Sequence, residues 1–206
     1  MIRLYRAPWS TNVERVALAL AHKGLAVESV VIDYSDRGRV EQVSGQSLVP
    51  VIEDGDHVVS DSTAILRFLE GRYPDPPLFA REPARRAEME VFLDWFNESW
   101  KRPPNELEAE LLERDPDRTR IDRLAGAMAA SLERFEAMLT ERDFLMGNDL
   151  SAADCVAFPF LKYARGREAG DDELFHRVLD EHQSLGHAHG PLAGWIDRVD
   201  AHPRAY

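Results

Sequence analysis

The sequence predicts two domains of different classes: an α/β domain with elements in the order βαβαββα, followed by an all-helical domain. Three observations support this division. Short β-branched runs alternate with one-sided apolar helical patterns in residues 1–74. The segment Tyr73–Glu82 carries three prolines, so a helix cannot continue through it and we expect a stiff linker over residues 75–82. In residues 83–206 nearly every apolar pattern has helical spacing.

The first half of the α/β domain predicts two strands joined by a helix. Apolar side chains at helical spacing in residues 12–23 indicate the helix, and Gly24 is typical of a helix end. Leu25–Ile32 is rich in β-branched residues and predicts a buried strand. Together with a strand over residues 2–6, this order favours a parallel pair. A short helix is expected over Arg37–Val43.

The second half of the domain is marked by Pro50, which opens a predicted strand. A proline has no N–H to donate to a ladder, so it suits a sheet margin, a bulge or a cis turn. If the Val49–Pro50 bond is cis, the N–H and C=O of Val49 are exposed to a partner. An acidic turn after this strand predicts a hairpin to the strand His57–Val59, and a helix follows over Asp61–Arg72.

The second domain is predicted to contain long amphipathic helices. A proline pair at 103–104 should kink or split the first of them. Ser151 and Asp154 have the spacing of a capping box, which we assign to folding because a buried helix start must satisfy its N–H donors. The predicted helices cover Pro83–Leu112, Asp117–Glu141, Ser151–Arg165, Asp172–Gln183 and Leu192–Ala201.

Composition excludes several classes of function. A formal charge of −12 argues against nucleic acid and anionic membranes as partners, because phosphate binding needs clustered cations. No apolar run approaches the roughly 20 residues that span a bilayer. The single cysteine, Cys155, excludes an internal disulfide and a CxxC pair. The histidines lack nearby carboxylate pairs, so we expect no metal. The strand pattern starts at Met1, so we expect no signal peptide and a cytoplasmic protein.

The order and spacing of these motifs resemble those of the cytosolic glutathione transferase family. The resemblance spans nearly the whole chain and implies a thioredoxin-like N-terminal domain, an all-helical C-terminal domain typical of glutathione S-transferases, glutathione as cosubstrate and a homodimer. The matching motifs are Leu4-Tyr5, Pro8-Trp9-Ser10, Arg15-Val16, Val49-Pro50-Val51, Asp61-Ser62-Thr63-Ala64-Ile65, Leu150-Ser151-Ala152-Ala153-Asp154, and Pro191-Leu192 with Trp195, Arg198-Val199 and Pro203.

In this family the residue that activates the glutathione sulfur follows the first strand, a position that Ser10 occupies here. A hydroxyl at a helix start can donate to a thiolate, and the helix dipole also favours negative charge there. Asn12 and Thr11 carry donors too, so they stay alternatives for the same catalytic role. Ser10 could also serve simply as the N-cap of the helix, and the two roles are compatible.

The resemblance also implies which residues bind glutathione. Val49, next to Pro50, would pair with the cysteinyl backbone. Asp61 would pair with the γ-glutamyl ammonium, and Ser62 would bind its carboxylate. Alternatively, Asp61 only caps the helix that follows. Ser10, Leu48 and Pro50 belong to the same predicted glutathione-binding set.

Leu48 departs from the family pattern, because many relatives carry a lysine or glutamine there that meets the glycyl end of glutathione. This departure leaves open whether the physiological thiol is glutathione. Gln46 or Arg39 could take over the glycyl contact.

The expected function is conjugation of the glutathione thiolate to a small hydrophobic electrophile, which makes the protein a glutathione S-transferase. Trp9, Ser99 and Trp100 are candidates for the electrophile pocket, whose substrate the sequence does not identify. Two alternatives stay open. One is a glutathione-dependent disulfide reductase or peroxidase-type oxidoreductase. The other is a non-catalytic binding module with the same fold.

Overall fold

The computed structural model describes residues 1–33 and 35–206. Contacts divide these residues into two compact units. The first unit comprises residues 1–86 together with residues 201–206, and the second unit comprises residues 87–200. Within the described ranges, no helix combines the length and the apolar character that crossing a membrane requires.

The first unit contains a four-stranded sheet in the order β2-β1-β3-β4. β1 and β2 are parallel, whereas β3 is antiparallel to both β1 and β4. The predicted parallel pair and the predicted hairpin are therefore both confirmed. The strands are β1 (Ile2–Arg6), β2 (Val27–Val31), β3 (Val51–Asp54) and β4 (His57–Ser60).

Three helices complete the first unit: α1 (Thr11–His22), α2 (Gly38–Ser44) and α3 (Ser62–Arg72). α1 and α3 pack against each other, which explains why α1 is buried along most of its length. α2 instead packs Val40 into a cluster with Tyr5 and Val51. The helix order agrees with the βαβαββα prediction.

The prediction of a buried second strand is wrong. Val30 is the one buried residue of β2, and Val31 is more than half exposed. β2 lies at the edge of the sheet, so one side of the strand has no neighbouring strand to cover it. β-branched composition indicates a strand but does not distinguish an edge position from a central one.

A buried lysine ties the proline-rich segment to the first unit. Lys23, at the end of α1, donates to Glu70 Oε2 at 2.9 Å and to the carbonyl oxygens of Tyr73 at 2.6 Å and Pro76 at 3.0 Å. The three N–H donors of an ammonium group are thereby satisfied away from water. Glu70 Oε2 also accepts from the N–H of Leu78. This network fixes the ends of α1 and α3 to the segment that follows them.

The remaining elements form the helical part of the chain. The predicted split of the first long helix is confirmed, but the irregularity begins before the prolines, in a π-helical segment over Phe96–Trp100. Pro103 and Pro104 then lie in the first turn of the next helix, where a missing N–H costs little. The helices are α4 (Pro83–Trp95), α5 (Arg102–Leu111), α6 (Arg118–Met138), α7 (Ala152–Leu161), α8 (Leu174–His182) and α9 (Gly190–Asp200), with a 3₁₀ segment over Lys162–Arg165 after α7.

The capping box at the start of α7 is confirmed and does more than cap the helix. The fully buried Asp154 carboxylate accepts from Ser151 N–H at 2.9 Å and Ser151 O–H at 2.7 Å. It also accepts from Leu145 N–H at 2.9 Å and from Trp195 Nε1–H at 2.8 Å. One carboxylate thus joins α7, α9 and the loop before α7, which agrees with the structural role predicted for the motif.

Candidate functional site

The strand register brings three chain segments to one edge of the sheet. Tyr5 on β1 pairs with Val51 on β3, and Val51 pairs with Ser60 on β4. The end of β1, the start of β3 and the end of β4 therefore lie side by side. The segments that leave this edge are residues 7–10, residues 49–50 and residues 61–62. All predicted glutathione-binding positions except Leu48 lie within them, and Leu48 directly precedes residues 49–50.

Ser10 is the N-cap of α1, as one of the two interpretations of the sequence predicted. Its Oγ accepts a hydrogen bond from the N–H of Val13 at 3.3 Å. A hydroxyl that accepts this bond still has its own hydrogen to donate. Within the described chain, no acceptor receives that hydrogen. Ser10 is half-buried, as is Asn12, whereas Thr11 is only 7% exposed.

The bend before β3 has one of the geometries that the sequence left open at Pro50. The Val49–Pro50 peptide bond is cis, and Pro50 is buried. The N–H and C=O of Val49 have no hydrogen-bond partner among residues 1–33 and 35–206. An extended ligand strand could pair with both groups.

Leu48 is largely exposed, whereas Gln46 and Arg39, the two residues proposed for the glycyl end, contact other groups of the protein. The Leu48 side chain is 73% exposed. The Gln46 side chain accepts from Leu48 N–H at 2.6 Å and donates to Leu48 C=O at 2.9 Å. The Arg39 guanidinium lies over the Tyr5 ring, 5.8 Å from its centroid. Gln46 therefore shapes the loop around Leu48.

Asp61 is the N-cap of α3, and its Oδ1 accepts from Ala64 N–H at 2.9 Å. Its φ angle is 71°, a conformation that non-glycine residues rarely adopt and that costs free energy. Such strain is concentrated at ligand-binding positions in proteins. The side chain of Asp61 is exposed, and the adjacent Ser62, the first residue of α3, is buried.

Arg15 is a charged residue of the site that sequence reasoning treated only as part of a motif. Its side chain is 1% exposed, and its Nη1 donates to Ser62 Oγ at 3.3 Å. Burial lowers the pKa of the Arg15 guanidinium to about 9, and the Asp61 carboxylate opposes this shift. Arg15 is therefore a buried cation at neutral pH. A charged residue inside the apolar run of α1 was the sequence signal that could have drawn attention to it.

Two of the predicted electrophile-pocket residues lie together in the second unit. Ser99 and Trp100 belong to the π-helical segment and line a cavity of about 300 Å³. π-helical turns occur frequently at functional sites. The Trp100 ring is almost fully buried, and its Nε1–H donates to Ser131 Oγ at 2.9 Å. Trp9, the third predicted residue, belongs to the first unit, where it has a φ of 62° and is 38% exposed.

Other reactive side chains are arranged for structural roles. Cys155 is buried within α7. His176 Nδ1 lies 2.8 Å from Asp171 Oδ2, and both side chains are buried. In the part of the chain that the structure describes, no group of three or more His, Cys, Asp or Glu side chains is arranged to hold a metal ion.

Two protein-family models match the chain. Residues 4–77 match the model described as glutathione S-transferase, N-terminal domain. Residues 118–198 match the model described as glutathione S-transferase, C-terminal domain. The first match contains all three segments that meet at the sheet edge.

Individual proteins show the same similarity. Glutathione S-transferase 3 of Zea mays is 30% identical over 182 residues, which cover 82% of each chain. FtsZ-localized protein A of Caulobacter vibrioides is 28% identical over 166 residues, which cover 75% of this chain and 73% of that one. The crystal structure of a glutathione S-transferase from Rhodospirillum rubrum F11 has a TM-score of 0.73 at 27% identity, covering 98% of this chain and 89% of that one. The chain therefore belongs to the glutathione S-transferase family.

Proposed function

We propose that this protein binds glutathione at the sheet edge of the first unit and transfers its thiolate to a small hydrophobic electrophile. One observation carries the proposal. The register of β1, β3 and β4 brings together a hydroxyl with a free hydrogen, an unpaired backbone N–H and C=O, and a carboxylate next to a helix start. These groups complement a thiol, a peptide backbone and an amino-acid end, which are the parts of glutathione.

The binding mode follows from the chemistry of each group. Asp61 pairs with the γ-glutamyl ammonium, and Ser62 donates to the γ-glutamyl carboxylate. The N–H and C=O of Val49 pair with the cysteinyl backbone in the manner of an added strand. This arrangement directs the cysteinyl sulfur toward the start of α1, where Ser10 donates its hydroxyl hydrogen.

The reaction needs the thiol to lose its proton to solvent before the sulfur attacks. A hydrogen bond to a charged group contributes about 1.5–3 kcal/mol. At about 1.4 kcal/mol per pKa unit, Ser10 lowers the pKa of the bound thiol by roughly one to two units. A thiol with an ordinary pKa near 8.5 is then about a quarter to three quarters ionised at pH 7. The thiolate forms a carbon–sulfur bond with the electrophile while the leaving group departs with its electron pair.

As candidate contacts of the electrophile we propose Trp9 in the first unit and, separately, Ser99 and Trp100 in the second unit, where these two residues line the cavity. Aromatic side chains supply apolar surface and favour flat, apolar substrates. The Trp100 Nε1–H is already bonded to Ser131, so the ring contributes to the cavity mainly through its apolar surface. Variants at Ser99 should change the relative rates with different electrophiles while leaving the affinity for glutathione unchanged.

Isothermal titration calorimetry with glutathione tests the binding half of the proposal. Asp61→Asn should weaken binding about 10- to 100-fold, because it removes a charge-assisted hydrogen bond. Asp56→Asn is the matched control, since it removes an exposed carboxylate from the neighbouring hairpin turn and should leave binding unchanged. Absence of glutathione binding by the unmodified protein at millimolar concentration would refute the proposal.

Turnover assays separate the transferase from its two rivals. We expect turnover of an aryl halide that exceeds turnover of a disulfide or a peroxide, since Cys155 is buried and cannot form a mixed disulfide without opening of α7. A binding module is the second candidate, because the relative FtsZ-localized protein A has a name that describes a location and not a reaction. Glutathione binding without any turnover would favour it.

The same proposal includes a homodimer in the cytoplasm, as the family resemblance implies. Analytical ultracentrifugation should give twice the mass of the 23.4 kDa chain. A monomer at micromolar concentration would contradict this part of the proposal.

A further inference from the structure

Arg15 occupies an unusual position for a charged side chain. It lies in α1, five residues after Ser10, and it is among the largest fully buried side chains of the described chain. Burying a guanidinium is costly unless it is paired with other groups. Its Nη1 contacts the hydroxyl oxygen of Ser62, and the Asp61 carboxylate interacts with its charge. The cation therefore lies directly behind the two residues proposed to hold the γ-glutamyl end.

The hydrogen bond from Arg15 determines what Ser62 can do. Because Ser62 Oγ accepts from the guanidinium, the hydroxyl hydrogen must point elsewhere. No residue in the ranges 1–33 and 35–206 accepts that hydrogen. A carboxylate at the start of α3 would accept it.

The negative charge of Asp61 and the positive charge of Arg15 together complement the two charges of an amino-acid end. The γ-glutamyl group carries one ammonium and one carboxylate. Asp61 supplies a negative charge for the ammonium, and Arg15 supplies a positive charge behind Ser62, the residue proposed to bind the carboxylate. A buried cation is screened less by solvent than a surface one, so it can act on a ligand that it does not touch.

We propose that Arg15 is a positioning residue that orients the Ser62 hydroxyl toward the γ-glutamyl α-carboxylate and gives the site its selectivity for thiols that carry a free amino-acid end. This inference rests on the proposed binding of glutathione. Arg15 does not contact the sulfur or the electrophile, and it acts through Ser62. The cation is concealed inside the first unit, which keeps it from binding other anions at the surface.

Arg15→Met is the variant that tests the role. Methionine preserves much of the side-chain length and the helix propensity, and an apolar residue of similar volume often replaces a buried charge without loss of stability. We expect its affinity for glutathione to fall about 10- to 100-fold, the range expected for a charged hydrogen bond. Arg72→Met is the control, since Arg72 lies on α3 with a half-exposed side chain.

A second ligand distinguishes a positioning role of Arg15 from a general effect of the substitution on the structure. The probe is the glutathione analogue in which γ-aminobutyrate replaces the γ-glutamyl residue, so that it lacks only the α-carboxylate. Arg15→Met should bind this analogue as well as the unmodified protein does. Ser62→Ala should lose affinity for glutathione by a similar factor, and combining it with Arg15→Met should add little further loss.

Calorimetric titrations of both ligands give the deciding pattern. Equal losses for glutathione and for the analogue, or no loss for either, would overturn the role of Arg15. If Arg15→Met does not fold, Arg15→Gln takes its place and the same ligand-dependent pattern is required. If the unmodified protein binds neither ligand, the proposed function itself fails. If it binds glutathione more tightly than the analogue but Arg15 variants do not change this preference, only the present inference fails.

Discussion

Replacing Ser10 with alanine should have two separable effects, because the proposed mechanism gives this hydroxyl a second task besides capping α1. Its oxygen accepts from Val13 N–H at 3.3 Å, and its hydrogen is free for a bound thiolate. Losing the cap should lower the free energy of unfolding by about 1 kcal/mol. Losing the donor should raise the pKa of the bound thiol by roughly one to two units, which corresponds to the 1.5–3 kcal/mol of a charged hydrogen bond.

The thiolate of bound glutathione absorbs in the ultraviolet, so a pH titration of the complex measures the thiol pKa directly. Urea unfolding measures the loss of the cap. Asp117→Ala is a matched control, because Asp117 caps α6 by accepting from Thr119 N–H and Arg120 N–H. It should lower stability by a similar amount and leave the thiol pKa unchanged. Ser10→Thr keeps both the cap and the donor, so it should resemble the unmodified protein in both measurements.

An unchanged thiol pKa in Ser10→Ala, together with the loss of stability, would reduce Ser10 to a helix cap. The next variant would then be Asn12→Ala, since Asn12 is half-buried at the same turn, whereas Thr11 is buried. Because Asn12 lies inside α1 and does not cap it, its variant should affect the thiol pKa with little change in stability. The two assays therefore assign the thiol-activating residue.

Three further results are expected. Lys23→Met should lower the free energy of unfolding by about 3–5 kcal/mol, because Glu70 would be buried without its cation, and adding Glu70→Gln should recover part of the loss in urea unfolding. A hydrogen bond from Tyr5 O–H holds the pKa of Glu53 below its ordinary value, so the unfolded chain binds more protons at this site. The contribution of Glu53 to the free energy of unfolding should be complete above its ordinary pKa of about 4.3 and should be lost as the pH falls through its lower pKa in the folded protein. In Glu53→Gln, the free energy of unfolding measured against pH should lack this loss. Because Leu48 offers no cation to a glycyl carboxylate, γ-glutamylcysteine should bind almost as tightly as glutathione in calorimetry, and cysteinylglycine much more weakly.

The parts of the fold that local chemistry determines could be predicted from the sequence. Pro50 limited the bend to a sheet margin, a bulge or a cis turn, of which the cis bond is present; the hairpin followed from the acidic turn, and Ser151 with Asp154 indicated the capping box. Each depends on neighbouring residues alone. The edge position of β2 could not be predicted, because it depends on which strands pair across the sheet.

The π-helical segment and the buried guanidinium also required the three-dimensional structure. Phe96 and Trp100 stack with ring centroids 4.5 Å apart, an arrangement that depends on how the surrounding helices pack. The contact of Arg15 with Ser62 joins residues 47 positions apart in the chain. The sequence therefore indicated which residues lie on the turns at this sheet edge, but not that Arg15 contacts Ser62 behind them.

Helix α1 connects the two halves of the proposed site. Ser10 is the N-cap of the helix and Arg15 lies five residues further along, which at 1.5 Å per residue is roughly 7.5 Å along its axis. The helix is held at its far end by Lys23, and along its length Arg204 bonds to Glu14 at 3.0 Å. A helix restrained in this way keeps the Ser10 hydroxyl and the Arg15 guanidinium at a fixed separation. In the proposed binding mode, binding of the glutamyl end would bring the sulfur to a donor that is already in place, so little of the binding energy would be spent on ordering the protein.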